Sequence, residues 1–435
     1  MKRRQVNIVS LGCSKNLVDT ERLLSMMAAN GIRAEVTERP DLPADILVVN
    51  TCGFIGDAKE ASIDTILQGA EAKANGRINR IFVMGCLSER YAKELPAELP
   101  EVDGWYGKFD WPAIVSDITG TQTSAKSHDR IITTPGHHAY LKVSEGCNRF
   151  CAFCAIPLIT GRMHSRPIEE LDAEVRALTS RGVKEFNIIA QDLSSYGTDL
   201  GVGHRQLLPQ MVERLADIPG VEWLRLHYAY PTDFPRDLLR VMAERENVCS
   251  YLDIALQHIS DPVLSNMRRH ITGAQTRDLI AEMRATVPDL HLRTTLMVGF
   301  PGEGDKEFDE LMEFVAQTRF ERMGAFAYCE EDDTYAAKHL PDNIPGDVKA
   351  QRLDRLMALQ ESISLDIQEN KIGQTFKIII DREEADYYVG RTQWDSPEVD
   401  PEVLVEKDRR LNSGDFVNVT ITSAMPFELI GKANG

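Results

Sequence analysis

The stretch Glu145-Gly146-Cys147-Asn148-Arg149-Phe150-Cys151-Ala152-Phe153-Cys154 decides how this chain is read. Its three cysteines stand as C-x3-C-x2-C, with no fourth cysteine or histidine following at ligand distance. Structural zinc takes four tetrahedral protein ligands, as a rule from paired C-x2-C units, and a lone triplet does not supply them. A cubane 4Fe-4S cluster held by three thiolates keeps one iron open for another ligand. An open iron points to chemistry, because an electron carrier normally has every iron capped. The rival reading is three cysteines buried as small apolar side chains, and Asn148 and Arg149 count against it by making the loop polar.

Outward from this loop, the preceding residues Tyr140 to Val143 read as a strand. Further strands are expected near Glu185 to Ala190, Trp223 to His227, Tyr251 to Leu256, His291 to Val298 and Gly324 to Tyr328, with helical stretches such as Glu169 to Thr179 and Thr276 to Ala285 between them. Six strand-helix units predict a partial or closed parallel barrel, with functional groups on the loops after the strands. The Cys147 loop follows the first strand.

Toward the N-terminus, short apolar runs alternate with helical stretches: Val6 to Leu11, Thr20 to Asn30; Asp45 to Asn50, Ala58 to Ala74; Ile81 to Gly85, Ser88 to Leu95. This pattern predicts a small open sheet, mainly parallel, with right-handed crossovers. Each run ends at a cysteine, in Leu-Gly-Cys13, Asn-Thr-Cys52 and Met-Gly-Cys86. Ligands in such sheets bind at the carboxyl ends of the strands, so three thiols distant in sequence are expected to converge. One strand-end cysteine reads as a buried hydrophobe; three at the same offset read as a metal or cluster site. Residues 120 to 136, polar and rich in turn formers, are expected to be a linker, with His137 and His138 solvated beside it.

Past the barrel, Lys349 to Glu369 reads as an amphipathic helix, with Leu353, Leu356, Met357 and Ile363 among its apolar positions. Beyond Gly373 the texture becomes β, with runs at Thr375 to Ile380, Tyr387 to Thr392, Val403 to Val405, Phe416 to Thr422 and Phe427 to Gly431. Runs so short and closely spaced predict a small β-barrel. The chain of 435 residues has eight cysteines and a net charge of -18. Cysteines that are unpaired at short spacing point to metal or catalytic use in a reducing cytosol. No apolar run approaches the roughly 20 residues needed to span a bilayer. Met1-Lys-Arg-Arg4 and the apolar residues after it imitate a signal peptide, but the run is short and carries Asn7; a strand and a cytoplasmic protein are expected. Acidity on this scale disfavours a phosphate backbone as partner and either favours a basic protein or serves solubility alone.

The C-x3-C-x2-C loop, with Phe153 before its last cysteine, resembles the radical S-adenosylmethionine enzymes. The cysteine trio before it and the small β domain after it resemble the methylthiotransferase family, with its terminal TRAM barrel. Within that family, Ser10-Leu-Gly-Cys-Ser-Lys-Asn-Leu-Val-Asp-Thr-Glu21, Tyr228-Ala-Tyr-Pro231, Leu256-Gln-His-Ile-Ser-Asp-Pro262, Val298-Gly-Phe-Pro-Gly-Glu303 and Asp395-Ser-Pro-Glu-Val-Asp400 are similar to the branch that modifies a ribosomal protein. The resemblance implies an α/β methylthiotransferase domain over 1–121, a radical S-adenosylmethionine domain with a partial TIM-like barrel over 133–364 and a TRAM domain over 367–435. It implies two 4Fe-4S clusters, one on Cys147, Cys151 and Cys154 and one on Cys13, Cys52 and Cys86. Reductive cleavage of S-adenosylmethionine at the former would release a 5'-deoxyadenosyl radical. That radical would activate the β-carbon of an aspartate on small-subunit ribosomal protein twelve. The other cluster would present a methylated sulfur, with a second S-adenosylmethionine as methyl source and a flavodoxin- or ferredoxin-type protein as electron donor.

The same resemblance puts Phe153 near the adenine, although a side chain anchoring the loop to the core fits equally. Gln191, Gln257 and Arg293 are expected near the carboxyl ends of strands, as cofactor contacts or as structural hydrogen bonders. Gly299 opens a Gly- and Pro-rich turn, suited to close approach of a ligand or to a plain tight turn. Cys249 and Cys329 match no ligand position and read as bystanders. From residue 367 onward, 8 Lys and Arg face 13 Asp and Glu, a net of -5 (8 minus 13), which makes RNA binding by the terminal barrel unfavourable. Trp394, Tyr387 and Tyr388 mark either a docking surface or the barrel core. The alternatives carried forward are methylthiolation of a tRNA adenosine and a non-enzymatic iron-sulfur carrier or RNA-binding scaffold.

Overall fold

The computed structural model describes residues 5–121, 129–201 and 203–434. The chain divides into two compact units, one of residues 1–134, 145–148 and 155–163, the other of 135–144, 149–154 and 164–435.

The first unit is a five-stranded parallel sheet of order β2-β1-β3-β4-β5, built from β1 (Gln5–Ser10), β2 (Arg33–Val36), β3 (Ala44–Thr51), β4 (Ile78–Gly85) and β5 (Gly104–Trp105). Alternation along the strands explains its layers. Val6, Ile8, Ile46, Val48, Phe82 and Met84 point to one face, where Leu23 and Met27 of helix α1 (Ser14–Ala29) cover them. Val9, Leu47, Val49, Ile81 and Val83 point to the other, where Ile66 and Ala72 of helix α2 (Gly56–Ala74) cover them. Strands buried on both faces read as continuous apolar runs, which is why β1, β3 and β4 were legible while the short edge strands β2 and β5 were not. The helix expected over Ser88 to Leu95 is two pieces, α3 (Cys86–Arg90) and Leu95–Glu98.

Of the expected linker, residues 122–128 lie outside the described residues. The described end is packed rather than free: Thr133 donates to the Glu21 carboxylate at 2.8 Å, and buried Arg130 stands 3.4 Å from the same carboxylate.

The second unit begins with β6 (His138–Lys142); β7 (Ser144–Glu145) and β8 (His164–Ser165) flank the cysteine loop in sequence. Its main sheet is open and all parallel, in the order β13-β12-β11-β10-β9-β6. The strands are β9 (Glu185–Ile189), β10 (Trp223–Ala229), β11 (Val248–Ile254), β12 (His291–Val298) and β13 (Arg322–Ala327). This is the partial form of the expected barrel. Phe186, Ile188, Leu224 and Leu226 are buried on one face, while the alternate positions Glu185, Asn187, Arg225 and His227 carry a polar row that is equally buried. Within the polar row His227 stands 3.2 Å from Asn187 Oδ1.

The long helix Gly346–Glu369 leads into a closed barrel, β14 (Thr375–Glu383), β15 (Tyr387–Thr392), β16 (Glu402–Glu406), β17 (Phe416–Met425) and β18 (Glu428–Ala433), ordered β14-β15-β16-β18-β17. Buried charges fasten this barrel to the amino ends of the sheet strands. Arg391 pairs with Glu185 at 2.7 Å, Asp400 with Arg293 at 3.2 Å, and Asp395 with Arg322. Two expectations change here. His137 and His138 are buried instead of solvated; His137 bonds Asp381 at 2.8 Å and Ser413 at 3.0 Å, partners from the far end of the chain. Trp394 is also buried, stacked on His291 with ring centroids 4.5 Å apart, and Tyr388 is in the barrel core, so neither forms a docking surface. Among the described residues no helix is long and apolar enough to cross a membrane.

Candidate functional site

In the first unit Cys13 precedes α1, Cys52 follows β3 and Cys86 opens α3, all at the carboxyl ends of parallel strands. Each has a glycine neighbour, and the missing side chains let the three loops close on one another. A Cβ on Gly12, at φ +90°, would stand 2.8 Å from Cβ of Cys52; one on Gly53 would stand 2.6 Å from the backbone nitrogen of Leu87. One buried side chain ties all three loops. Asn16 Nδ2 donates to Leu11 O at 3.1 Å and to Thr51 O at 2.9 Å, while its Oδ1 accepts from the Cys86 thiol at 3.5 Å. Asn50 in turn donates to Asn16 O at 3.0 Å, and Thr51 Oγ1 to Met84 O at 2.6 Å. Asn16 thus ties the three strand-end loops to one another.

The electrostatics of the trio are uneven. Burial pushes the Cys86 thiol up to about 12 and raises Cys52 as well. At Cys13 crowding by neighbouring atoms also opposes ionisation, but Lys15, the Asn16 backbone N–H and Lys108 outweigh it and the thiol lies below its ordinary value. Lys108 is buried, with Nζ 3.2 Å from Glu145 Oε2. Desolvation opposes its charge, yet Glu145, Asp19 and the thiols Cys86 and Cys13 hold it protonated. Neither Asn16 nor Lys108 stood out in the sequence. The available signal was position, since Lys108 follows the short strand β5 just as each cysteine follows a longer one.

In the second unit, the loop carrying Cys151 and Cys154 is held from both sides: Ala152 N donates to Met267 O at 3.0 Å and Ala152 O accepts from Ala336 N at 2.7 Å. Arg149 reaches Asp192 at 2.7 Å and Ser195 Oγ at 2.9 Å. The Cys151 sulfur has Arg269 Nη1 at 3.3 Å and the Tyr230 hydroxyl at 3.4 Å. Phe153 packs edge-on against Phe300, centroids 6.1 Å apart, in a cluster with Met297 and Tyr328, so it does anchor the loop to the core.

The remaining candidates separate. Gln257, just past β11, sits at φ +72°, and its Oε1 is buried with no hydrogen-bond partner. A strained non-glycine residue and an orphaned buried acceptor each call for a functional explanation. Gln191 follows β9 at its carboxyl end, as expected. The room of a Cβ on Gly299 is filled by Lys349, and the Gly299 N–H donates to Glu303 at 2.9 Å, so close approach here is to the long helix. Arg293 is a correction: it is third in β12, near the amino end, where Asp253 and Asp400 hold its guanidinium. Cys249 is buried beside Trp223 and Tyr251, and Cys329 is exposed.

All eight cysteines are free thiols, and an all-sulfur donor set suits iron-sulfur chemistry. Among the described residues no group of three His, Cys, Asp or Glu side chains meets the geometry of a metal site. The fit of the two triplets therefore rests on donor type, spacing and the gathered loops.

Three family models match the chain: uncharacterized protein family UPF0004 over residues 5–107, the radical SAM superfamily over 141–315 and the TRAM domain over 372–433. The chain is 57% identical over 432 residues to the ribosomal protein uS12 methylthiotransferase RimO of Parabacteroides distasonis, covering 99% of both chains. It is 46% identical to the protein of that name from Cytophaga hutchinsonii, covering 99% of this chain and 98% of that one. Among solved structures, the radical S-adenosylmethionine methyltransferase TsrM from Kitasatospora setae superposes with a TM-score of 0.56 at 13% identity over 75% of each chain, a likeness of fold alone.

Proposed function

We propose a division of labour between two cysteine triplets in this chain, which belongs to the ribosomal protein uS12 methylthiotransferase family. It is a radical S-adenosylmethionine methylthiotransferase acting on ribosomal protein uS12, and the acceptor in our reading is an aspartate β-carbon. Cys147, Cys151 and Cys154 would hold one 4Fe-4S cluster, which activates S-adenosylmethionine; Cys13, Cys52 and Cys86 would hold the other. When bound, these groups supply the radical and the methylthio group.

The protein's own part is placement. Asn16 and the glycines bring three strand ends together, and buried Lys108 offsets the negative charge that three thiolates bring into one crevice. A bound metal would favour the thiolate of Cys86, whose thiol burial holds neutral. On the other loop, Ala152 and Phe153 fix the backbone, and Gln257 offers an unused acceptor at the carboxyl end of the sheet for the cofactor; Gln191 lies at the same edge. The observation that supports the reading is the tying of the three cysteine-bearing loops by one buried asparagine, an arrangement that a structural cysteine does not require.

The terminal barrel, net -5 from residue 367 onward (8 minus 13), suits a Lys- and Arg-rich ribosomal protein better than RNA. Trp394 and Tyr388 are buried and take no part in that attraction. The electron comes from an external donor of flavodoxin or ferredoxin type. Mass spectrometry of uS12 and of tRNA from cells lacking the gene tests the substrate: the methylthio mass should vanish from uS12, and its loss from tRNA alone would overturn the assignment. Release of 5'-deoxyadenosine by the dithionite-reduced protein separates an enzyme from a passive iron-sulfur carrier.

A further inference from the structure

We propose that Tyr230 and Arg269 are positioning residues that raise the reduction potential of the cluster on Cys147, Cys151 and Cys154 by donating hydrogen bonds to the Cys151 sulfur; this rests on the ligand assignment made above. Both are buried, at 6% and 2% exposure. The Arg269 Nη1 lies 3.3 Å and the Tyr230 hydroxyl 3.4 Å from the sulfur. The hydroxyl also lies 3.4 Å from Arg269 O. Once Cys151 is a thiolate, the anionic sulfur competes better for the phenol proton than a neutral carbonyl does.

The pair is built rather than incidental. The Arg269 guanidinium stacks over the Tyr230 ring at 3.9 Å, and Arg149 lies at 4.4 Å from the same ring. Arg269 also donates to Ala255 O, and Thr232 Oγ1 donates to Arg269 O at 2.7 Å, which fixes its main chain. Its neighbours Arg268 and His270 are both at positive φ, +57° and +53°. Two strained non-glycine residues in succession around one arginine cost on the order of 1–3 kcal/mol each, and such strain persists where surrounding structure enforces it. The segment is also joined to the cysteine loop through the Ala152 N to Met267 O bond of 3.0 Å.

Hydrogen bonds and buried positive charge at cluster sulfurs stabilise the reduced, more negative state over the oxidised one, and so raise the potential. A cluster that must accept an electron from a protein donor before it can act needs that assistance. Tyr230→Phe removes one donor and keeps the ring. Arg269→Lys keeps the charge and loses the planar fork that donates to the sulfur and the carbonyl together.

The experiment uses the full chain with Cys13→Ala, Cys52→Ala and Cys86→Ala, reconstituted with iron and sulfide, so that one cluster is measured. Potentiometric titration followed by electron paramagnetic resonance should show the Tyr230→Phe cluster with full iron and a reduced-to-oxidised ratio about tenfold lower at a given potential, equivalent to 59 mV for one electron. Arg269→Lys should shift in the same direction. Full iron with an unmoved or raised potential in both variants overturns the proposal. If Tyr230→Phe does not load iron, Arg269→Lys decides by the same criterion. If the triple-alanine parent itself binds no iron, the ligand assignment fails and the proposal with it.

Discussion

Replacing Asn16 by alanine tests the reading of the first site at one residue. The side chain is 1% exposed and donates to Leu11 O at 3.1 Å and Thr51 O at 2.9 Å. Removing a partner from a buried polar group costs about 1–3 kcal/mol per group. With two carbonyls losing their donor, a loss of at least about 2 kcal/mol is expected. Against a total stability of roughly 5–15 kcal/mol, that is a large fraction without being unfolding. Guanidinium denaturation of the iron-free protein should move its midpoint down with an unchanged slope, since compactness is not altered.

The functional consequence is read separately. In a chain carrying Cys147→Ala, Cys151→Ala and Cys154→Ala, iron binding reports on Cys13, Cys52 and Cys86. Asn16→Ala should lower iron per chain severalfold there, and should leave iron on the other triplet intact when that one is the sole site. Asn16→Asp, close in shape but unable to donate, should be as damaging or worse, because it adds a carboxylate beside Cys86. Full iron and an unmoved midpoint in Asn16→Ala would refute the view that this residue gathers the loops.

Other outcomes follow from the same geometry. Gly12→Ala forces a Cβ to 2.8 Å from Cys52 Cβ at a backbone φ of +90°, so it should lose the first cluster by iron analysis while the second stays. Glu185→Gln takes from buried Arg225 and Arg391 the carboxylate they share, leaving Arg391 its pair with Asp381; breaking a buried pair costs about 3–5 kcal/mol, measurable by thermal or denaturant unfolding. Asp395 is buried, which opposes its charge, but Arg322 and Lys371 hold it at about 2. Its folded value is below the ordinary value of roughly 3.9, so its contribution, about 2 kcal/mol, is complete above pH 4 and is lost as pH falls toward 2. Asp395→Asn should therefore flatten the stability profile between about pH 4 and 2, and an acid limb identical to that of the parent would contradict the pairing.

What the sequence disclosed and what it concealed follow from the range of the interactions. The longer strands of both sheets are legible because burial on a face leaves apolar runs in local order, and the cysteines of the first unit stand out because those runs stop at them. Asn16 does not, since one polar residue in the first turn of a helix is indistinguishable from a solvated one until its partners, Leu11 O and Thr51 O, are known. His137 is concealed for the same reason at greater range: the residues before it have the composition of a linker, and its partner Asp381 is 244 positions away. Arg293 was misplaced because a strand's direction is evident but the depth of one residue along it is not. The run Asp395 to Asp400 carried a family resemblance whose physical content, two carboxylates meeting Arg322 and Arg293, emerges only in three dimensions.

The loops bearing Cys13, Cys52 and Cys86 take their shape from protein contacts, through Asn16 and the glycine approaches. The conformational entropy of ordering them should therefore be lost on folding rather than on metal binding. A small zinc domain whose metal is removed unravels, because there metal affinity and folding free energy are the same quantity. Here the two are separate. Oxygen or a chelator that strips the first cluster should leave a folded, reloadable receptor, so that oxidative loss is a matter of repair rather than of resynthesis.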